Sequence, residues 1–210
     1  MRCIYGGTFD PVHYGHLRTA LEVQQALGVA QVHLLPCALP PHRDEPRVSP
    51  DQRLQLLRLA IADQPALAID DRELQRGGRS YMVDTLRSLR EEVGEDAPVC
   101  LILGMDAFLG LESWHQWQSL TELAHLLVMQ RPGSEWPATG ALAELVGRAR
   151  VEESIALSER PAGLLYGLQV TPLGISSTQI RTLLAAKRSP RYLLPDSVLQ
   201  HITEYNWYRN

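Results

Sequence analysis

The sequence predicts an α/β fold: a Rossmann-like doubly wound parallel sheet with a small C-terminal helical part. Three observations carry that prediction. Short apolar runs alternate along the chain with stretches of helical periodicity, several runs end in glycine or proline turns, and helix-start signals follow those turns. At 210 residues the chain can bury a core of its own, and 45% hydrophobic with 21% charged residues is ordinary for a soluble protein.

Residues 2–5 read as a buried strand closed by Gly6-Gly7. A helix follows from Tyr14 to Leu27, with Leu17, Ala20, Leu21 and Gln24 at helical spacing and Gly28 placed for a left-handed cap. The next strand spans 31–35, and Pro40-Pro41 breaks the chain after it. Ser49-Pro50-Asp51-Gln52 has the form of a capping box with proline at the first helical position, opening a helix with Leu54, Leu57 and Ile61 on its apolar face. A weak strand at 66–69 leads through a polar loop to a helix from Ser80 to Val93, stopped by Gly94. Residues 98–103 form the most apolar strand and end in Gly104-Met105-Asp106; a tryptophan-bearing segment then leads to a strand at 125–130. Beyond Arg131-Pro132-Gly133 come a helix at 139–149, a short strand at 168–171, a helix opening at Ser176-Ser177 and a last helix from Asp196.

Composition removes several function classes. The longest apolar stretches, at 99–105 and 123–129, are too short to span a bilayer, and no signal-peptide core follows Arg2. No membrane partner is expected. Three widely spaced cysteines, Cys3, Cys37 and Cys100, lack disulfide or zinc-ribbon spacing, which points to a reducing, cytoplasmic setting. Net charge is −4 with no basic stripe, so no nucleic-acid groove is expected. Homo-oligomer formation is left open.

Parallel sheets of this kind bind ligands at the carboxyl ends of their strands, near the point where strand order reverses. The string after the first strand, Gly6-Gly7-Thr8-Phe9-Asp10-Pro11-Val12-His13-Tyr14-Gly15-His16, falls at such an end. Paired glycines allow close backbone approach. Asp10-Pro11 sets a turn, and the helix start presents free N–H groups and its positive dipole end. His13 and His16 are three apart and can face one point, completing a compact phosphate cradle. The histidines could instead bind a metal, but no third ligand is near in sequence, so no protein metal site is expected. Taken singly, either histidine is more often a structural hydrogen-bonder.

G-G-T-F-D-P-x-H-x-G-H resembles the signature of the nucleotidyltransferases related to class I aminoacyl-tRNA synthetases. Within them the chain looks like the bacterial nicotinate-nucleotide adenylyltransferases, over nearly its whole length. The resemblance implies one nucleotidyltransferase domain over 1–210, with a core α/β part over about 1–135 and C-terminal strand and helices over about 168–210 completing the ATP site. It implies transfer of AMP from ATP to nicotinate mononucleotide, giving nicotinate adenine dinucleotide and pyrophosphate on the route to NAD.

The remaining site residues follow from that likeness. Ile175-Ser176-Ser177-Thr178-Gln179-Ile180-Arg181 is similar to the second signature, I-S-S-T-x-I-R, and so is expected to bind the β- and γ-phosphates. On its own the segment reads as a capped surface helix with a solvated arginine. His42 and Arg43, in Pro40-Pro41-His42-Arg43, are implied to contact phosphates, and Asp106 to lie near the nucleotide. The implied ATP set is therefore Gly6, Gly7, Thr8, Phe9, His13, His16, His42, Arg43, Asp106, Ser176, Ser177, Thr178 and Arg181; His13, His16 and Arg181 are the implied catalytic groups. Magnesium, as cofactor, is expected to be bound through the ATP phosphates.

For nicotinate mononucleotide the implied residues are Tyr81, Met82, Trp114, His115 and Arg131. Trp114 is implied to stack on the pyridine ring, with Tyr81 and the N–H groups of Met82 and His115 around its carboxylate. By spacing alone, Trp114 and Trp117 read as core anchors. Relatives often carry threonine where Met82 stands and asparagine near Cys37 and Ala38. Alternatives are a nicotinamide-mononucleotide or phosphopantetheine adenylyltransferase, or a non-catalytic nucleotide sensor.

Overall fold

The computed structural model describes residues 1–40 and 45–209. In chain order the elements are β1 (Arg2–Gly7), α1 (Tyr14–Leu27), β2 (Val32–Pro36), α2 (Pro50–Ala60), β3 (Leu67–Ile69), α3 (Arg72–Arg76) and α4 (Met82–Val93). Then come β4 (Val99–Gly104), α5 (Met105–Leu109), α6 (Leu120–Leu123), β5 (His125–Gln130), α7 (Gly140–Ala149), β6 (Arg150–Val151), β7 (Leu165–Gln169), α8 (Ser177–Ala185) and α9 (Asp196–Glu204). Single 3-10 turns occupy Leu111–Ser113, Trp117–Ser119 and Ser154–Ser158.

One parallel sheet of seven strands runs in the order β3-β2-β1-β4-β5-β7-β6. The chain moves outward from β1 through β2 to β3, then crosses back to place β4 on the other flank of β1. Strand order reverses between β1 and β4, so the connections leaving their carboxyl ends part and open a crevice.

Alternation along the strands feeds two apolar layers. Cys3, Leu34, Cys100, Ile102 and Leu127 face the side covered by α1, α2, α8 and α9, where Ala20, Val23, Leu56, Leu57, Ile180, Leu184, Val198 and Ile202 close the core. Ile4, Leu35, Leu101, Leu103, Leu126 and Val128 face α4, α5, α6 and α7 through Leu86, Leu89, Phe108, Leu120, Leu142 and Leu145. All six residues of β5 are buried, as expected of a parallel strand covered on both faces. Among the described residues no helix is long and apolar enough to cross a membrane.

The expected helix ends hold at two informative places. Gly28 takes φ 61° after α1, the left-handed cap. Before α2, Ser49 Oγ accepts the Gln52 N–H at 3.2 Å and Gln52 Oε1 accepts the Ser49 N–H at 2.8 Å, a complete capping box.

Other boundaries differ for physical reasons. Gly6 and Gly7 continue β1 instead of closing it, pairing with Leu35 and Pro36. The strand expected at 168–171 is β7, which starts at Leu165; Tyr166 and Gly167 blur its alternation, while pairing to Leu126–Gln130 fixes its register. Helix α4 begins at Met82 because Tyr81 keeps an extended backbone, φ −90° and ψ 125°. The segment expected as a polar loop contains α3, whose five residues bury only Glu73 and so show no apolar period. Strand β6 has two residues, too few for any pattern.

Candidate active site

A cleft of about 1330 Å³ opens over the carboxyl ends of β1 and β4. Its floor is the string that leaves β1. A Cβ on Gly7 would stand 2.8 Å from the Phe9 ring, and one on Gly15 would stand 2.9 Å from the His13 ring. Both glycines are therefore required for these rings to lie where they do. Phe9 itself takes a left-handed backbone, φ 49°, and the Asp10-Pro11 bond is cis.

His13 is the N-cap of α1, with an extended backbone, and its carbonyl accepts the His16 N–H at 2.9 Å and the Leu17 N–H at 3.2 Å. That geometry sets the imidazoles of His13 and His16 face to face, 3.7 Å between centroids at 26°. Phe9 packs edge-on to His16 at 5.0 Å. Burial pulls the His13 pKa down to about 4, with the Arg131 charge acting in the same direction. His13 is thus neutral at neutral pH, and its Nδ1 is buried without a hydrogen-bond partner among the described residues.

The second wall is the start of α8. Ser176 caps that helix by accepting the Gln179 N–H at 3.1 Å, and Ser177 Oγ donates to the Pro11 carbonyl at 2.9 Å. Two helix N-termini, those of α1 and α8, are thereby fastened side by side, and the Tyr14 N–H that opens α1 is taken by the Leu193 carbonyl at 3.0 Å. Arg181, one turn into α8, donates from Nη1 to the Asp10 carbonyl at 2.7 Å and from Nη2 to Thr178 Oγ1 at 3.2 Å. It stands 28% exposed, with donors left for the cleft.

Three supports of this floor escape sequence reasoning. Asp10 reads in the sequence only as a turn residue, yet its buried carboxylate accepts the Arg47 N–H at 2.9 Å and the Tyr208 hydroxyl at 2.8 Å. Arg53 is fully buried and donates to the carbonyls of Thr8 at 2.9 Å and Ala38 at 3.0 Å, joining the loops after β1 and β2. A signal for Arg53 exists: it shares a helical face with Leu56, Leu57 and Ala60, where a charge is out of place. Tyr208 offers none, since its partner lies 198 positions away.

The other end of the cleft is more open. Tyr81 caps α4 and its ring lies 4.7 Å from the exposed His115 ring. Met82 begins α4 beneath Gly6, where its Cε would meet an added Cβ at 3.0 Å. Trp114 and Trp117 are both half-buried against the second core layer, but of the two only Trp114 also lines the cleft. Both thus pack against the core, as the spacing alone suggests. Gln116, at φ 51°, accepts from Arg87 Nη2 at 2.7 Å and ties the segment to α4. Asp106 is exposed on α5, and Arg131 is exposed just past β5.

Deeper on this side, Glu73 is buried and accepts from Thr85 Oγ1 at 2.6 Å; burial raises its pKa. Ser80 Oγ accepts the Ala38 N–H at 2.8 Å, bracing the loop after β2.

Every expected site residue within the described chain lines this one cleft: Gly6, Gly7, Thr8, Phe9, His13, His16, Asp106, Ser176, Ser177, Thr178 and Arg181, with Tyr81, Met82, Trp114, His115 and Arg131. His42 and Arg43 lie outside the described residues. Among the described residues no three His, Cys, Asp or Glu side chains converge as a metal cage.

The chain is similar to known proteins over most of its length. A family described as cytidylyltransferase-like matches residues 4–183. A protein of Marinobacter nauticus described as a probable nicotinate-nucleotide adenylyltransferase is 51% identical over 99% of this chain and 96% of its own. One of Halorhodospira halophila with the same description is 50% identical over 98% and 94%. Among solved structures, the nicotinic acid mononucleotide adenylyltransferase of Plasmodium falciparum complexed with NaAD superposes with a TM-score of 0.73, covering 98% of this chain and 96% of that one. At 16% identity, that likeness speaks for the fold.

Proposed function

The chain belongs to the nicotinate-nucleotide adenylyltransferases, within the cytidylyltransferase-like family, and from that membership we propose that it transfers AMP from ATP to nicotinate mononucleotide. The products are nicotinate adenine dinucleotide and pyrophosphate. The observation that carries this reading is the convergence of His13, His16, Arg181 and two adjoining helix N-termini on one cleft floor.

The acceptor's 5′-phosphate is already anionic at neutral pH, so no side chain has to act as nucleophile. Its oxygen attacks the α-phosphorus in line, and the bond to the bridging oxygen of pyrophosphate breaks. Catalysis is then positioning and charge stabilisation. His13 and His16 hold α- and β-phosphate oxygens as negative charge grows on the bridge. His13, neutral at neutral pH, supplies one N–H donor. Arg181 and the N–H groups at Ser177 and Thr178 hold the departing pyrophosphate.

Magnesium bound through the ATP phosphates and water would supply charge neutralisation there. Asp106, an exposed carboxylate on the cleft wall, has the oxygen chemistry to take a water of that hydrated ion. On the acceptor side, Trp114 covers the pyridine ring, while Tyr81 and the N–H groups of Met82 and His115 receive its carboxylate. An amide in that position cannot accept from all of these donors, and one charge-assisted hydrogen bond amounts to about 1.5–3 kcal/mol, a preference for the acid of tens-fold. Arg131 faces the acceptor phosphate. We place the reaction in the cytoplasm, in keeping with the free thiols of Cys3, Cys37 and Cys100.

The test is magnesium-dependent pyrophosphate release from ATP, with nicotinate mononucleotide, nicotinamide mononucleotide and phosphopantetheine compared in parallel. Fast release with the acid alone is expected. Preference for another acceptor would discard the roles of Tyr81, Met82 and Trp114 and keep the phosphate floor. ATP binding without release for any acceptor would make the protein a nucleotide sensor.

A further inference from the structure

The chain's last turn reaches back to its first loop. Tyr208 lies beyond α9 with a left-handed backbone, φ 64°, and is 8% exposed. Its hydroxyl donates to Asp10 Oδ1 at 2.8 Å, while Asp10 Oδ2 accepts the Arg47 N–H at 2.9 Å. Arg181 sits beside this carboxylate but is not hydrogen-bonded to it. Its Nη1 is 2.7 Å from the Asp10 carbonyl oxygen and 3.8 Å from Oδ2.

That arrangement is unusual energetically. A guanidinium and a carboxylate in a buried setting form their strongest contact as short, paired hydrogen bonds. Here Asp10 is 4% exposed and its Oδ2 stands 3.8 Å from Arg181 Nη1, short of such a pair. Each carboxylate oxygen instead already receives a donor, and the guanidinium is oriented by a backbone carbonyl. Burial, with the adjoining carboxylate and its hydrogen bond, pushes the Tyr208 hydroxyl far above its ordinary pKa, so it stays a donor throughout the working range. Arg53 is the other cation whose field reaches this hydroxyl, and both of its end nitrogens are spent on carbonyls.

We propose that Tyr208 is a positioning residue for the phosphate end of the reaction: by occupying Asp10 Oδ1 it keeps that carboxylate from turning onto Arg181, whose charge stays directed at pyrophosphate. The proposal deepens the function proposed above and rests on its assignment of Arg181 to the leaving group. It also gives the C-terminal segment a chemical task. Without Tyr208, Asp10 would close the 3.8 Å gap and compete with the substrate for the same guanidinium.

Tyr208→Phe retains the ring and its packing and deletes only the donor. Pyrophosphate binding, followed by calorimetry, needs no acceptor and so is independent of which acceptor the enzyme uses. Binding to the variant is expected to weaken about tenfold, the scale of one charge-assisted hydrogen bond, with the KM for nicotinate mononucleotide within twofold of wild type. In an Asp10→Asn background, where no carboxylate competes, Tyr208→Phe is expected to cost pyrophosphate less than twofold. A purely structural role predicts a lowered Tm and the same loss in both backgrounds. Unchanged pyrophosphate affinity in folded Tyr208→Phe, or a tenfold loss that persists with Asp10→Asn, would overturn the proposal. Wild-type protein that releases pyrophosphate in turnover but shows no Arg181-dependent affinity for it would overturn the Arg181 assignment and this proposal together. Failure of the acceptor comparison alone would leave both standing.

Discussion

The two ends of the cleft are built differently. At the phosphate end, Asp10 and His13 are 4% and 5% exposed, and the loop that carries them is bonded to Ser177, Arg181 and Tyr208 from the far end of the chain. At the end proposed to receive the pyridine, Trp114, His115 and Gln116 sit between two single 3-10 turns, with His115 exposed and Arg87 to Gln116 as a side-chain brace. The difference follows the chemistry. Phosphoryl oxygens at a reacting centre demand donors fixed before the substrate arrives. A pyridine ring needs only a flat apolar face and a few N–H groups. Substitutions at the first end should therefore strike the chemical step and the stability of the floor. Those at the second should strike acceptor affinity.

The largest effect that would sharpen this contrast is at His16. His16→Ala should lower kcat by about 10²–10³, as for loss of one preorganised donor to a developing anion, with the fold intact by circular dichroism. Near-normal turnover would remove the phosphate-floor assignment.

Next comes the pH dependence of stability. The His13 pKa is about 4 folded against about 6.5 unfolded, so the unfolded chain binds the extra proton between these values. The contribution of this group is complete above pH 6.5 and is lost as pH falls towards 4, a change of about 3 kcal/mol. Urea unfolding of wild type and His13→Asn at pH 7 and pH 4.5 should show the variant losing less stability on acidification. Equal losses would mean that the floor is wetter than its burial indicates.

A smaller effect is expected across the cleft. Trp114→Ala should raise the KM for nicotinate mononucleotide about tenfold, the scale of one aromatic stack, and leave the KM for ATP within twofold. A loss falling on ATP instead would break the division between the two ends. The smallest effect serves as a control away from both. Ser49→Ala, which deletes the α2 capping box, should cost about 1 kcal/mol in unfolding free energy without altering either KM.

The same contrast explains what is legible in the sequence. The phosphate end is carried by two contiguous strings, so glycines, histidines and serines at fixed spacing announce it, and strands as apolar as 99–104 locate the sheet edge. Its supports are another matter. Asp10 to Tyr208 and Arg53 to Thr8 are contacts between distant segments, and no local period encodes them. At the other end the spacing of Trp114 and Trp117 reads as a core for both; only the cleft wall sets Trp114 apart. Elements too short or too polar to show a period, α3 and β6, are unreadable for the same reason. The offset in β7 arises because Leu126 and its neighbours, not its own composition, set where it begins.

The central claim is that this floor positions two phosphates for direct transfer, with no group of the protein attached to AMP along the way. The stereochemical course at the α-phosphorus tests it most directly, using ATP with sulfur in one defined configuration at that centre and nicotinate mononucleotide as acceptor. A single in-line displacement predicts inversion in the dinucleotide product. Retention would require two displacements through a covalent adenylyl-enzyme, and would contradict the assignment of His13, His16 and Arg181 to positioning and charge stabilisation alone.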